Sequence, residues 1–229
     1  MTSGAAEPGG LLRFEEWGMR KQIGRSIGVL VAGAVLTAGF ALAQDRQGAP
    51  AGGGQGRGGG RGPQTPPLIM TSTAWEDGGV IPDKYTQAGG ANAPSPELKW
   101  SQVPMGTQSF VLLMHDPEPV LNKGSKMDIT HWLVWNIPGT STGLPEGVMQ
   151  GELPDGTRQV SLRSNGYMGP GAPAGPYHHY TFELYALDTK LEVPLGTPQE
   201  AAATRTAVVN AMDGHVLGKA VLVARFHRP

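Results

Sequence analysis

The sequence predicts an all-β protein: an antiparallel β-sandwich carrying one peripheral C-terminal helix. Three observations point there. From Leu68 onward, short apolar runs alternate with Gly, Pro, Asn and Asp punctuation, the texture of strands joined by turns. Several of those runs are rich in Val, Phe, Trp and Tyr, which suit a pleated, half-buried surface. The connections are long and Pro-rich, unlike the helical crossovers of alternating βαβ units. With 229 residues and 39% hydrophobic content, the chain can build one domain with a proper core plus tails.

The N-terminus reads as an export signal. Residues 19 to 43 place Arg20, Lys21 and Arg25 ahead of an uncharged apolar stretch from Ile27 to Phe40. Ala41-Leu42-Ala43 then matches a small-x-small cleavage site, with Gln44 following. The stretch is short for a membrane span of roughly 20 residues and contains Gly33 and Gly39, so cleavage is favoured over anchoring. The mature protein is expected to begin at Gln44, in the periplasm or outside the cell. Glu7, Glu15 and Glu16 lie ahead of this segment, and signal peptides avoid such acids. Met19 is therefore a better start than Met1, and residues 1 to 43 read as an extension plus a signal peptide.

Residues 44 to 67 hold no apolar pattern and are dominated by Gly and Pro. They are expected to form a disordered tether, since such a segment gains nothing by ordering. The stretch GRGGGRG brings only Arg57 and Arg61 and no aromatic residue, too little for an RNA-binding tract. The formal net charge is -1, so no overall basic field recruits nucleic acid. There are no cysteines, which excludes disulfides, thiolate nucleophiles and Cys-based zinc sites.

The domain is expected over residues 68 to 229. Its strands read as LIMTS (68–72), LKWSQV (98–103), SFVLLMH (109–115), HWLVWNI (131–137), QVSLRS (159–164), HYTFELYAL (179–187) and GKAVLVARFH (218–227). One helix stands out. Thr197 can cap its start, Pro198 suits the first turn, and Glu200 completes a capping box. AAATRTAVVNAM follows, and Gly214 can terminate it. Val208 and Met212, four apart, should dock on the sheets.

The polar residues fall at strand ends. His115 and Asp116 close one strand, His131 opens a second, and His178 and His179 open a third. Strand ends gather at the rims of a sandwich, so Asp116, His131 and His178 can converge. Alternation places His131 with Leu133, Trp135 and Ile137, and His178 with Tyr180, Phe182, Leu184 and Ala186. Both histidines thus continue faces that carry large apolar groups. The loop NGYMGPGAPAGPYHHY (165–180) supplies Gly166, Gly169, Gly171 and Gly175 for close backbone approach to a ligand. Its backbone N–H groups can form an anion-holding nest, stiffened by Pro170, Pro173 and Pro176.

These pieces resemble the phosphatidylethanolamine-binding protein family, in its bacterial branch of Raf-kinase-inhibitor-like proteins. The matching features are P-x-L-x-W (Pro96, Leu98, Trp100), HDPEP, HWLVWNIP, GYMGPGAPAGPYHHY-x-F-x-LYALD and the closing GHVLGKAVLVARF. They run in family order across about residues 69 to 227. The resemblance implies a sandwich with a small anion pocket at one rim. In that pocket Asp116 stands for the acid of an Asp-Pro-x-x-Pro segment, His131 for the histidine of a His-Trp strand, and His178 and Tyr180 for a His-Arg-Tyr segment. Gly169, Pro170, Gly171 and Pro173 match the pocket loop. The chain departs from the pattern in three places. Its second proline sits one position early, at Pro119. His179 replaces the usual arginine and removes a fixed positive charge near the mouth. Gly171-Ala172-Pro173 stands where paired prolines are common.

A carboxylate repels phosphate, so Asp116 is expected to act through a histidine. Accepting a ring N–H fixes the tautomer and favours the protonated form. The other ring nitrogen then donates to a phosphate oxygen, with His131 and His178 as the donors. The expectation is an exported binding protein for phosphate-like or phospholipid head groups, not an enzyme, using no cofactor and no metal. HExxH and paired-carboxylate signatures are absent. Two other readings stay open: a secreted inhibitor of a hydrolase or other protein, and a hydrolase built on the Asp/His pocket. The sequence does not decide the physiological ligand, a protein partner or a homodimer.

Overall fold

A computed structural model describes residues 66 to 229 apart from 91, 120–122, 125 and 127. The expected signal peptide and nearly all of the expected tether lie outside the described residues. Among the described residues nine strands form two sheets, accompanied by one α-helix. The smaller sheet orders β1 (Ile69–Thr71), β3 (Leu98–Ser101) and β6 (Gly143–Leu144). The larger orders β2 (Gly79–Val80), β9 (Val216–Phe226), β8 (His178–Leu187), β4 (Ser109–Asp116), β5 (Ile129–Pro138) and β7 (Arg158–Val160). The helix, α1 (Ala201–Ala211), lies between β8 and β9 in the chain.

Each strand segment expected from sequence is found at least in part, the 159–164 segment only as Arg158–Val160. β2 and β6 were not foreseen, because two residues show no periodicity. The pairing is antiparallel except for β2 against β9, which is parallel, so the wholly antiparallel expectation is corrected there.

Both faces of the larger sheet are covered at β4 and β5. One face packs on the smaller sheet: Phe110, Leu112, Met114, Phe182 and Leu184 share a core with Met70, Leu98, Trp100 and Leu144. The rings of Trp100 and Phe110 stand 5.2 Å apart. The other face, carrying Val111, Leu113, Leu133 and Trp135, is covered by Val208 of α1 and by Met212 at its C-cap. Two-sided burial explains why β4 reads as a continuous apolar run rather than an alternation. The capping box is formed: Glu200 Oε2 accepts from the Thr197 backbone N–H at 2.9 Å and its hydroxyl at 2.8 Å. Pro198–Glu200 make a 3-10 turn before the helix, and Gly214 takes a left-handed φ of 81° after it.

Two bulges in β5 matter for the site. Met114 faces Trp132 and His115 faces Thr130, which leaves His131 as an extra residue. Phe110 faces Ile137 and Leu112 faces Val134, and the extra residue there includes Asn136 at φ 59°. Strict alternation therefore fails at both ends of β5. Leu133 and Trp135 face the helix, Ile137 turns to the inter-sheet core, and His131 packs edge-on against Tyr180, 5.0 Å between ring centres.

Candidate functional site

The site forms where β4 stops and β8 continues. The last β4 residue paired with β8 is His115, opposite Thr181. His178, His179 and Tyr180 extend past that point, held on one side only by β9. The vacated edge is filled by side chains from the segment after β4. Glu118 accepts the His179 backbone N–H at 3.1 Å, a bond that a strand carbonyl would otherwise make, and its Oε1 also meets His179 Nδ1 at 2.7 Å. Asp116 Oδ2 takes the ring N–H of His178 at 2.8 Å, and its Oδ1 takes the Glu118 N–H at 3.1 Å. Asp116 is buried. Burial raises its pKa. Glu118 goes down: burial opposes ionisation, but its bonds with Asp116 and His179 outweigh that.

The loop after β7 closes the other side. Met168 donates its N–H to the His131 carbonyl at 3.0 Å, and its own carbonyl accepts from His131 Nδ1 at 2.9 Å. A carbonyl only accepts, so Nδ1 carries the proton and Nε2 is the nitrogen that titrates. Burial pushes His131 down to about 4, so Nε2 is a bare acceptor at neutral pH. This corrects the expectation that His131 is a protonated donor beside Asp116. The histidine that Asp116 holds is His178 and not His131, because the bulge that turns His131 inward aims Nδ1 at the loop.

The loop's backbone is also committed differently than expected. The N–H groups of Gly171 and Ala172 donate to Tyr180 Oη at 3.1 and 3.0 Å, so they are not a free anion nest. Tyr180 is fully buried, and burial, reinforced by the nearby Asp116 charge, raises its pKa. Gly169 is required for close approach, but to protein rather than ligand. A Cβ there would lie 2.7 Å from the Tyr85 carbonyl oxygen and 3.0 Å from Thr86 Cα. The Pro170 carbonyl accepts the Gln87 N–H at 2.8 Å, and Gly169 O accepts Gln87 Nε2 at 2.9 Å.

Together these residues enclose a cavity of 180 Å³. Asp116, His131, Gly171, Pro173, His178 and Tyr180 line it; Gly169 and Pro170 do not and instead pin the loop from behind. Sequence reasoning missed Gln87 and Arg163, which also line it. Arg163 fell inside the segment read as a strand to residue 164, yet β7 ends at Val160. The turn that follows swings the guanidinium to the cavity, where it bonds Gln87 Oε1 at 3.2 Å. It restores a fixed cation of the kind lost at position 179. Asp116, Glu118 and His178 also bring three metal-ligand atoms within 4.8 Å of one another. Each is already engaged in the hydrogen bonds above.

A two-sheet β protein with a polar pocket at its central strand ends is the class that fold and site define. Residues 71–227 match the family model described as phosphatidylethanolamine-binding protein. The chain belongs to that family. A UPF0098 protein of Methanothermobacter thermautotrophicus is 44% identical over 164 residues, covering 70% of this chain and 99% of the relative. The UPF0098 protein YbhB of Escherichia coli is 35% identical over 129 residues, 53% of this chain and 78% of the relative. Among solved structures, a phosphatidylethanolamine-binding protein homologue from Chlamydia trachomatis is similar at TM-score 0.59 and 30% identity, covering 71% of this chain and 99% of its own. YbcL of Escherichia coli, described as a member of the mammalian family, aligns at TM-score 0.57 and 27% identity with the same coverage.

Proposed function

We propose that this chain is an exported binding protein whose strand-end pocket, at the rim of a β-sandwich, holds a phosphate-like group, free or as a phospholipid head group. The observation that carries the reading is the buried Asp116 paired with a partly exposed His178 at a cavity that Arg163 also lines. Asp116 holds Nδ1–H, which leaves His178 Nε2 toward the ligand. As an imidazolium that nitrogen donates a charge-assisted bond, stronger than a neutral one. Arg163 adds a second cationic donor. His131 Nε2 offers a lone pair, so the pocket combines donors with an acceptor.

That mixture suits an oxyanion that keeps a proton of its own. Hydrogen phosphate presents a P–OH to His131 and unprotonated oxygens to His178 and Arg163. Sulfate offers no proton. Export rests on the signal-like residues 19 to 43. No helix among the described residues is long and apolar enough to cross a membrane. No catalytic step and no metal are invoked.

The test is NMR titration at pH 6 with phosphate and, separately, sulfate. Phosphate should shift the resonances of Asp116, His131, His178 and Ala172, and bind roughly tenfold tighter than sulfate, the worth of one good hydrogen bond. Silence at those residues contradicts the pocket assignment. Equal binding of the two ions contradicts the acceptor role of His131.

A further inference from the structure

A second, larger hollow adjoins the pocket. It measures 810 Å³ and shares Gln87, Arg163 and Met168 with the 180 Å³ cavity. Small-molecule sites typically span about 300–1,000 Å³. The inner cavity falls below that range, and the outer cleft lies within it. What stands between them is slight. Gln87 and Arg163 line both spaces and meet through one exposed side-chain hydrogen bond at 3.2 Å. An exposed bond between two such side chains exchanges readily with water, so rotation of Arg163 opens the two spaces toward each other while Gln87 stays bonded to the Gly169 carbonyl.

The chemistry of the cleft walls is one-sided. Arg163 and Arg228 both line it, whereas no Asp or Glu does among the described residues. No salt bridge among the described residues engages either arginine. Asn92, Ser95, Gln150 and Ser164 supply neutral donors and acceptors along the same walls. Unneutralised guanidinium groups in a polar cleft favour a carboxylate or phosphate, which they can grip with paired N–H donors.

We propose that the pocket and the cleft form one two-part seat for an organic phosphomonoester whose substituent is hydroxylated and carries a second anionic group. The phosphate fills the inner cavity, and the substituent replaces the Gln87–Arg163 bridge and lies toward Arg228. This rests on the phosphate reading of the inner pocket. It goes further by naming the substrate class and the residues that distinguish it.

The experiment compares three probes on the full-length protein by calorimetry and NMR: inorganic phosphate, glycerol 3-phosphate and 3-phosphoglycerate. Affinity should rise in that order, with 3-phosphoglycerate at least tenfold tighter than phosphate. Only the esters should shift Asn92 and Gln150. Arg228→Gln, at an exposed residue outside the inner pocket, should remove the gain from the second anion and leave phosphate affinity within twofold. Equal affinities for the three probes overturn the two-part seat, as does an unaltered 3-phosphoglycerate affinity in Arg228→Gln; phosphate shifts at Asp116 and His178 would still stand as support for the inner pocket. If phosphate shifts nothing at those residues, the phosphate reading falls. The two-part seat then falls with it, even where 3-phosphoglycerate shifts the cleft.

Discussion

Two neighbouring residues, His115 and Asp116, each belong to a histidine–aspartate pair, and the two pairs face opposite sides of one sheet. On the inter-sheet side, Asp116 meets His178 at 2.8 Å. On the helix side, His115 Nδ1 meets Asp128 Oδ2 at 2.6 Å, and Asp128 is also bonded by Arg205 of α1. The arginine separates their behaviour. Burial opposes ionisation of Asp128, but bonds from His115 and Arg205 outweigh it and hold the group at about 2. Asp116 lacks an arginine, and burial raises its pKa instead. In one pair the carboxylate is shared between His115 and Arg205 and fastens the helix to the sheet, while His115 Nε2 is buried without a partner. The other keeps a ring nitrogen free at a cavity. The same two side chains thus make a clasp or a binding site, depending on whether a third group completes them.

Removing the clasp should give the largest effect on stability. Asp128→Asn leaves Arg205 and His115, both mostly buried, without their carboxylate. Breaking such a pair from one side costs about 3 kcal/mol or more. Urea unfolding should show that loss, with phosphate affinity unchanged. The sign with pH follows from a depressed carboxylate. The stability Asp128 contributes is complete above its ordinary value of 3.8 and is lost as pH falls toward about 2.

His131 should contribute an effect of similar size at milder pH and in the same direction. Its folded value of about 4 lies below the ordinary 6.5. Between those values the unfolded chain binds a proton that the folded one refuses, so stability falls on acidification through that window. The gap between the two values corresponds to about 3 kcal/mol. Asp116, raised by burial, opposes part of the slope, because its folded form binds the extra proton. His131→Gln should flatten the dependence between pH 6.5 and 4, as measured by urea titrations at several pH values. An unchanged slope would contradict a neutral His131.

Gly169→Ala presses a Cβ on the Tyr85–Thr86 backbone and should cost about 1–3 kcal/mol, the usual scale of overpacking. It should weaken phosphate binding as well, because the loop that carries Met168 and Ala172 shifts. The smallest expected effect is at the far end of the helix. Glu200→Ala removes the reciprocal bond of the capping box and should cost about 1 kcal/mol, leaving the pocket untouched.

How far the sequence reaches is visible in these same residues. Asp116, His131, His178 and Tyr180 were legible as a constellation because strand ends gather and periodicity marks where strands end. The capping box was legible because it is local, confined to Thr197 through Glu200. The bulges at His131 and Asn136 were not, since inserting one residue leaves no compositional trace. They decide which face a side chain takes. Pairing across distance was likewise hidden: Asp116 and His178 are 62 residues apart, and nothing in spacing selects His178 over His131. Arg163 was overlooked because a polar residue beside a strand resembles any solvated edge. The loop's N–H groups looked available for an anion because only the folded chain shows Tyr180 Oη already bound to them.

The most direct test compares the two histidines. Phosphate affinity should be measured by calorimetry at pH 6 for the wild type, His178→Gln and His115→Gln. The first substitution removes the donor facing the cavity and should weaken binding roughly tenfold to a hundredfold, as expected for a hydrogen bond to a charged group. The second alters only the clasp and should leave affinity within twofold. Equal losses in both variants, or no loss in His178→Gln, would contradict the assignment of the pocket to the Asp116–His178 side of the sheet.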